Sequence, residues 1–438
     1  MDDQNASSPV SRRIFLGGGV VALTAAAAAP VAFNYASRGH GDWWPDHVVH
    51  AGHADDPGRH YHYVRDQLVV AQDDLGELRG ALGRRAGIEA TASLDELGLA
   101  LVQLHGARGG VPSLVDELHH GRDRAALWAA PNHVLGPCTH AHLSGSLPQP
   151  TTESLAPLAA GAGPYAGAGV TVAVLDSGAA LGHAWFAGRV SGDLEGAELD
   201  ARGRLHCNSG HGTFVAGMVL RRAPGARVTA YQVFGDGMIV DDFAVARRLL
   251  ELAASDAKVV NLSIGGYTHD DLGMVAISAA LRHLFQRRPD IVVVAAAGND
   301  ATNKPCFPAA DHRVIAVGAV RQEGSGRWRR ACFSNYGPWV DACAPGVSLL
   351  STFVDHDGPL VPNEVLTQCL GQLGGEDRMP AGRFTGWARW SGTSFAAPVV
   401  AAEIAAAIAD GRSGPEAVRH VLHAPGVMQL ENLGTVVP

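Results

Sequence analysis

The chain has 438 residues, of which 47% are hydrophobic and 54 are glycine, and its formal net charge at pH 7 is −9. This length and composition exclude a disordered chain and favour two or three domains around a large α/β core with many tight turns. The charge is spread along the chain and does not indicate a basic nucleic-acid surface, so no nucleic-acid partner is expected.

The first segment has the pattern of an export signal. Ser11-Arg12-Arg13-Ile14-Phe15-Leu16 precedes an apolar stretch rich in Gly and Ala that runs from Gly17 to Phe33. This pattern resembles a twin-arginine signal peptide over residues 1–36 and implies a secreted or extracytoplasmic protein. Two alternatives stay open: a basic tail before an ordinary helix, and a retained signal that anchors the chain in a membrane.

Residues 45–136 are predicted to form a small α+β domain. Its helices are expected over 73–85 and 111–120, and its strands over 61–71, 98–104 and 125–134. From 137 to 163 the chain is rich in Pro, Ser, Thr, Gly and Ala without periodicity, which indicates a linker.

The rest of the chain alternates apolar β-branched runs with helical patterns. Strands are predicted over 170–175, 227–233, 258–262, 291–296 and 314–320, and helices over 211–221, 241–255, 271–287 and 394–410. This alternation indicates a mainly parallel sheet with helices on both faces, an α/β fold in which function gathers at the carboxyl ends of the strands. We expect this domain over 164–425 and a C-terminal tail over 426–438.

The six cysteines lack the CxxC spacing of zinc or redox sites. Export would permit disulfide bonds, which we expect, but the sequence does not choose their pairing, and buried free thiols are the alternative. They are Cys138, Cys207, Cys306, Cys332, Cys343 and Cys369.

Three glycine-flanked side chains fall at the ends of predicted elements. Asp176 ends the first strand of the α/β domain, His211 opens a helix within Gly210-His211-Gly212-Thr213, and Ser394 opens the last long helix. A serine hydroxyl becomes a nucleophile when a histidine takes its proton and a buried carboxylate orients that histidine. Each residue alone could be a turn or helix cap. Together, at one sheet edge, they predict an acyl-transfer site.

A fourth segment ends at the same edge. The run from Val294 to Asn299 reads as a buried strand followed by a Gly-Asn turn. Asn299 could simply favour a left-handed turn. Beside a nucleophilic Ser394, its amide is instead a candidate oxyanion donor, together with the backbone N–H of Ser394 at the helix start.

These motifs together resemble those of the subtilisin-like serine peptidases, the subtilases of peptidase family S8, over about residues 164–423. Asp-Ser-Gly at 176–178, His-Gly-Thr-Phe-Val-Ala-Gly at 211–217 and Gly-Thr-Ser-Phe-Ala-Ala-Pro at 392–398 stand in the order of that family. Ala-Ala-Gly-Asn at 296–299 matches its oxyanion motif.

The resemblance implies a serine endopeptidase that acts on proteins or peptides. Ser394 would be the nucleophile, His211 the general base and then acid, Asp176 its orienting carboxylate and Asn299 an oxyanion donor. A catalytically silent module that binds extended peptides is the alternative from another functional class. A sedolisin-type acid peptidase would carry Glu in place of the histidine, so the His-Gly-Thr motif argues against it.

The resemblance also implies substrate binding and regulation. Ser263, Ile264 and Gly265 would pair with the backbone of extended substrates by strand addition. The N-terminal unit is similar to the inhibitor I9-like propeptides of the family, so the chain's own propeptide is an expected partner. A permanent accessory domain is the alternative.

Two departures from the family pattern bear on the site, and one acidic residue bears on specificity. Between His211 and Tyr231 the chain lacks the Asn-rich insertion with which many relatives bind calcium, so no metal ligands are predicted. No cofactor is required for the chemistry, and structural calcium is left open but not indicated. Phe214, in place of a histidine common in the family, predicts a packing change. Asp300 would lie near the S1 rim, where it favours basic P1 residues or is simply a solvated carboxylate.

Overall fold

The computed structural model describes residues 47–52, 61–83, 86–106, 110–120, 129–137, 147–156, 158, 166–195, 199, 203–206, 208–235, 238–324, 326–358 and 382–438. The predicted signal peptide lies outside these residues, as do Cys138, Cys207 and Cys369. Among the helices that the structure does describe, none has the length and apolarity to cross a membrane.

An antiparallel sheet forms the N-terminal unit. Its strands are β1 (Val48–Ala51), β2 (Tyr61–Ala71), β3 (Gly87–Leu94), β4 (Leu99–His105), β5 (Ala129–Leu135) and β10 (Val240–Asp241). They run in the order β10-β5-β2-β4-β3, and β1 pairs with residues 61–64 of β2. The helices are α1 (Leu75–Leu82) and α2 (Val111–His120). Because β10 belongs to the C-terminal part of the chain, this sheet joins the two parts.

A mostly parallel sheet forms the centre of the C-terminal part. Its strands are β7 (Thr171–Asp176), β8 (Val190–Gly192), β9 (Arg227–Gln232), β11 (Val259–Leu262), β12 (Val292–Ala296), β13 (Ile315–Gln322), β14 (Trp328–Arg330), β15 (Ala342–Pro345), β18 (Gln429–Leu430) and β19 (Gly434–Val436). Their order is β18-β19-β15-β13-β12-β11-β7-β9-β8, with β14 beside β13, and among these described strands only β14 and β18 pair antiparallel.

Helices cover both faces of this sheet. They are α3 (His211–Arg222), α4 (Asp242–Leu252), α5 (Val275–Arg287), α6 (Thr393–Ala409) and α7 (Gly414–Leu422). Val172 and Val174 of β7 lie in the core formed with α3 and α6, whereas the alternate residues Ala173 and Leu175 lie in the core formed with α4 and α5. Successive side chains of a strand point to opposite faces, so the continuous apolar strand β7 is buried on both faces. The predicted α/β fold class is confirmed.

A small antiparallel sheet lies against α3. It contains β6 (Gln149–Pro150), β16 (Leu349–His356) and β17 (Phe384–Trp390), in the order β16-β17-β6. A Cβ atom at Gly217 would stand 2.2 Å from Thr352 Oγ1, so the missing side chain is what allows α3 and β16 to approach this closely.

The predicted strands and helices of the parallel sheet are confirmed to within a few residues. Several segments contain elements that were not predicted, α7 among them. The linker region contributes β6, and the segment expected as a C-terminal tail contributes β18 and β19 to the central sheet. The N-terminal unit has two further strands, β1 and β3. The sequence pattern did not predict β3, because its side chains are mostly exposed and it lacks a buried apolar face.

Candidate active site

Asp176 and His211 meet where β7 ends and α3 begins. His211 Nδ1 lies 2.8 Å from Asp176 Oδ1, and both side chains are buried. The backbone N–H of Ser177 donates a second hydrogen bond, of 2.8 Å, to the same oxygen. A carboxylate at Nδ1 fixes the orientation of the imidazole and leaves Nε2 as the nitrogen that can accept a proton.

Two glycines make this junction possible. Gly178 has φ 89°, and a Cβ there would stand 2.9 Å from the carbonyl oxygen of Asp193. A Cβ at Gly212 would stand 2.1 Å from the carbonyl oxygen of Gly178. A larger residue at Gly212 would push α3 away from the end of β7, and one at Gly178 would push away the segment 193–195.

Aromatic side chains surround the His211 ring. Its centroid lies 5.5 Å from the Trp390 ring in an edge-to-face arrangement and 5.2 Å from the Phe395 ring. Phe214 is fully buried one turn along α3, and its ring centroid is 4.4 Å from that of Phe395. Phe214 is therefore a packing residue, as predicted.

Ser394 lies in the first turn of α6 and is 2% exposed. Its Oγ donates a 3.3 Å hydrogen bond to the carbonyl oxygen of Ser263, while Ser263 Oγ donates a 2.7 Å bond to the carbonyl oxygen of Ser394. Within the described residues, Ser394 Oγ makes no hydrogen bond to His211, although the adjacent Phe395 contacts the His211 ring. Catalytic hydrogen bonds are often long before substrate binds.

Asn299 is hydrogen-bonded to Thr393, the residue before Ser394. Its Oδ1 accepts hydrogen bonds from the backbone N–H and the hydroxyl of Thr393, at 2.9 and 2.8 Å. The left-handed conformation in this turn belongs to Gly298, at φ 101°, and not to Asn299. With Oδ1 occupied, Nδ2 has no acceptor within the described residues and is the group that can donate to a developing oxyanion.

The segment Ser263 to Gly265 follows β11 and already has a strand partner. Gly265 N–H donates to the carbonyl oxygen of Gly136 at 2.9 Å, and Gly136 N–H donates back at 3.1 Å. Gly136 directly follows β5 of the N-terminal unit. The chain thus pairs one of its own segments with the strand predicted to bind substrate.

Side chains also join the N-terminal unit to the C-terminal part of the chain. Asn132 Oδ1 accepts from the backbone N–H of Phe243 at 3.3 Å, and its Nδ2 donates to Gln67 at 2.9 Å. The rings of His133 and His269 stack with centroids 5.6 Å apart. Burial, followed by the neighbouring His269, lowers the pKa of His133 to about 3, so this contact is made by a neutral ring.

Asp300 is not a solvated carboxylate. Its Oδ2 accepts a 2.6 Å hydrogen bond from Tyr267 Oη, and Asn335 Nδ2 donates to the same Tyr267 oxygen at 2.8 Å. Burial raises the pKa of Asp300 to about 7, and the hydrogen bond from Tyr267 acts in the opposite direction. The carboxyl group is therefore partly neutral near pH 7 and is already hydrogen-bonded to Tyr267.

Sequence reasoning missed Glu195, which lies directly behind the Asp176–His211 pair. The carboxylate is buried and accepts hydrogen bonds from Ser177 Oγ, Gly210 N–H and both donors of Thr213. No signal in the sequence marks it, because Glu195 stands in a loop and its partners lie up to 18 positions away.

The described part of the chain contains no group of three or more His, Cys, Asp or Glu side chains that could hold a metal ion. No disulfide joins any two of its three cysteines, Cys306, Cys332 and Cys343. Burial raises the pKa of the Cys343 thiol to about 12, so this thiol stays protonated.

The chain resembles several curated proteins in sequence. It is 34% identical over 201 residues to a thermophilic serine proteinase of Bacillus sp. (strain AK1), covering 43% of this chain and 46% of the other. It is 31% identical over 197 residues to thermitase of Thermoactinomyces vulgaris, covering 43% and 66%. It is 31% identical over 259 residues to fervidolysin of Fervidobacterium pennivorans, covering 55% and 34%. The chain thus spans less than two thirds of each of these relatives.

The crystal structure of fervidolysin superimposes with a TM-score of 0.60 at 20% identity, covering 88% of this chain and 61% of the other. This likeness supports the fold alone. The model of the subtilase family, peptidase S8, matches residues 167–424, which is more than half of the chain and includes Asp176, His211, Asn299 and Ser394. The chain therefore belongs to the subtilase family.

Proposed function

We propose that the chain is a secreted serine endopeptidase with Ser394, His211 and Asp176 as its triad. The observation that carries the proposal is the buried 2.8 Å contact between His211 Nδ1 and Asp176 Oδ1, with the His211 ring against Phe395, the residue after Ser394 in the first turn of α6. The relatives support it, since one of them is named a serine proteinase.

In the proposed reaction, Ser394 Oγ attacks the carbonyl carbon of the scissile peptide and its proton passes to His211 Nε2. The negative charge that develops on the carbonyl oxygen is stabilised by Asn299 Nδ2 and by the backbone N–H of Ser394, one of the unpaired amides at the start of a helix. His211 then gives its proton to the leaving nitrogen as the C–N bond breaks. Water hydrolyses the acyl-enzyme by the same steps, with His211 again as the base.

Substrates of this enzyme are proteins or peptides bound in extended form. Ser263, Ile264 and Gly265 would present the strand to which the substrate backbone adds. The pairing of Gly265 with Gly136 supports this role, because an extended segment of the chain itself already forms the two hydrogen bonds of an antiparallel strand there.

The same pairing supports a propeptide function for the N-terminal unit. While Gly136 is hydrogen-bonded to Gly265, a substrate backbone cannot form the same two hydrogen bonds. The intact chain would therefore be latent until the N-terminal unit is removed. The sequence pattern of residues 1–36 supports export by a twin-arginine pathway. A permanent accessory domain would instead stay attached in the active form.

A fluorophosphonate probe tests the proposal, because it labels only an activated serine. We expect little labelling of the intact chain and strong labelling once the segment up to about residue 137 has been removed, with the mature N-terminus determined by mass spectrometry. Ser394→Ala abolishes labelling, whereas Ser413→Ala, at the start of another helix, leaves it unchanged. Absence of Ser394-dependent labelling after confirmed removal would support the silent peptide-binding module. Full activity with the N-terminal unit still attached would support the accessory domain.

A further inference from the structure

The residue that precedes helix α3 cannot cap it, and Glu195 provides the cap from a distant loop. The residue before α3 is Gly210, which has no side chain to cap the first turn. Glu195 Oε1 accepts from Gly210 N–H at 2.9 Å, and its Oε2 accepts from Thr213 N–H at 3.0 Å and from the Thr213 hydroxyl. A carboxylate at this end of a helix is stabilised by the unpaired amides and by the helix dipole. The carboxylate therefore fixes the turn that carries His211.

The same carboxylate competes with Asp176 for one proton. Ser177 Oγ lies within hydrogen-bond distance of Glu195 Oε1 and 3.2 Å from Asp176 Oδ1, and it accepts from Gly212 N–H at 2.8 Å. A hydroxyl group has a single proton to donate. Asp176 Oδ1 already accepts from Ser177 N–H and His211 Nδ1–H, which occupy its two lone pairs, so the Ser177 proton points to Glu195.

We propose that Glu195 is a positioning residue for the Asp176–His211 pair, which holds the start of α3 and turns the Ser177 hydroxyl away from Asp176. A carboxylate that accepts fewer hydrogen bonds is the stronger partner for an imidazolium. Glu195 thereby strengthens the hydrogen bond between Asp176 and the His211 ring. This inference rests on the proposed function of the site.

The ionisation of Glu195 agrees with such a role. Burial raises its pKa to about 7 and the Asp176 charge adds to the shift, while the hydrogen bonds from Ser177 and Thr213 act in the opposite direction. Asp176 and the ring of His211 are the ionisable groups on β7 and α3 to which this network leads. Above about pH 7 Glu195 is charged and holds the Ser177 proton; below it, a protonated Glu195 no longer needs that donor.

The test is Glu195→Gln, compared with Glu416→Gln, which changes a capping glutamate at the start of α7. We expect the acid limb of the pH profile of kcat/KM to move to lower pH by about half a unit to one unit. We expect kcat to fall about tenfold with KM within about twofold. Glu416→Gln leaves both unchanged. An acid limb that stays in place in Glu195→Gln overturns the proposal, because a residue that only supports the fold would lower the amount of active protein without moving the profile.

A second measurement does not depend on activity. In the Ser394→Ala background, NMR follows the titration of the His211 ring with and without Glu195→Gln, and the midpoint is expected to shift to lower pH by the same amount. If the parent chain shows no Ser394-dependent labelling but the midpoint still shifts, the proposed function fails and the positioning role stands. If labelling is present and the midpoint does not move, the positioning role fails alone.

A milder variant covers the case in which Glu195→Gln does not fold. Thr213→Val removes one donor to Glu195 at nearly constant volume, while Thr213→Ser retains the hydroxyl. Loss of this donor makes Glu195 harder to ionise, so Thr213→Val is expected to move the acid limb and the ring midpoint in the same direction by a smaller amount. Thr213→Ser restores both. Equal behaviour of the two variants would contradict the proposal.

Discussion

Helices α7 and α3 begin in opposite ways. At α7, Ser413 and Glu416 form a capping box within four consecutive residues at the protein surface. At α3 the cap is Glu195, a buried carboxylate 15 positions before Gly210. A local cap stabilises its own helix, whereas a distant cap also ties together two segments that meet at the candidate active site.

Helix α5 shows that the distant cap is not confined to the site. Met274 precedes α5 and provides no side-chain cap, and Asp242 accepts from the N–H groups of Ala276 and Ile277 at 3.1 and 2.8 Å. Asp242 is buried and begins α4, so it links two helices on the same face of the sheet. The comparison predicts larger losses of stability at the distant caps than at the local one.

The largest effect is expected for Glu195→Ala. The substitution leaves the buried donors of Gly210 and Thr213 without an acceptor, so the free energy of unfolding should fall by about 3–5 kcal/mol. Urea unfolding at pH 8 measures the loss. A loss no larger than that of the local cap variant below would break the distinction between the two kinds of cap.

Asp242→Ala separates the stability of a distant cap from the chemistry of the site. We expect a loss of about 2–3 kcal/mol, since two backbone N–H groups of α5 lose their acceptor. The folded variant should label with the fluorophosphonate probe at the parent rate, because α5 does not carry any of the candidate catalytic residues. Slower labelling of fully folded protein would show that caps far from His211 also tune the site.

The pH dependence of stability sharpens the comparison further. Burial raises the pKa of Asp242 to about 7, with the hydrogen bonds from Ile277 and Ala276 acting in the opposite direction. The folded state therefore keeps this proton up to about pH 7, whereas the unfolded carboxyl releases it near pH 4. Between these values the folded state binds more protons, so its stability falls as pH rises, by at most about 1.4 kcal/mol per pH unit, and levels off above pH 7.

Asp242→Asn removes this titration and keeps an oxygen that can accept from α5. Urea unfolding at pH 5, 6, 7 and 8 measures the free energy of unfolding of the variant and of the parent. The difference between these two free energies should change steadily up to pH 7, in favour of the variant at high pH. Parallel stability curves over this range would contradict the raised pKa.

The smallest effect is expected for Ser413→Ala. Loss of an N-cap side chain at the surface should cost about 1 kcal/mol, because water can replace the missing acceptor. Thermal unfolding at pH 8 suffices for the measurement. A loss as large as that of Asp242→Ala would mean that the position of a cap, local or distant, does not decide its contribution.

The same contrast explains what could be predicted from the sequence. The strands of the central sheet are continuous apolar runs because both of their faces are buried, and Asp176, His211 and Ser394 stand in short glycine-containing motifs that determine their local geometry. The capping box of α7 also lies within four adjacent residues, although no helix was predicted there. Glu195 and Asp242 could not be found in this way, since their partners become neighbours only in the folded chain.

The contacts of Asn299 and Asp176 divide the candidate site into two rigid pairs. Asn299 is fastened through Thr393 to the start of α6, so a displacement of that helix carries the amide and the Ser394 hydroxyl together. His211 is fastened to the end of β7 through Asp176. The contact between Ser394 Oγ and the His211 ring is therefore the one that joins the two pairs, and rotation of the Ser394 side chain away from the carbonyl oxygen of Ser263 changes their separation without disturbing either pair.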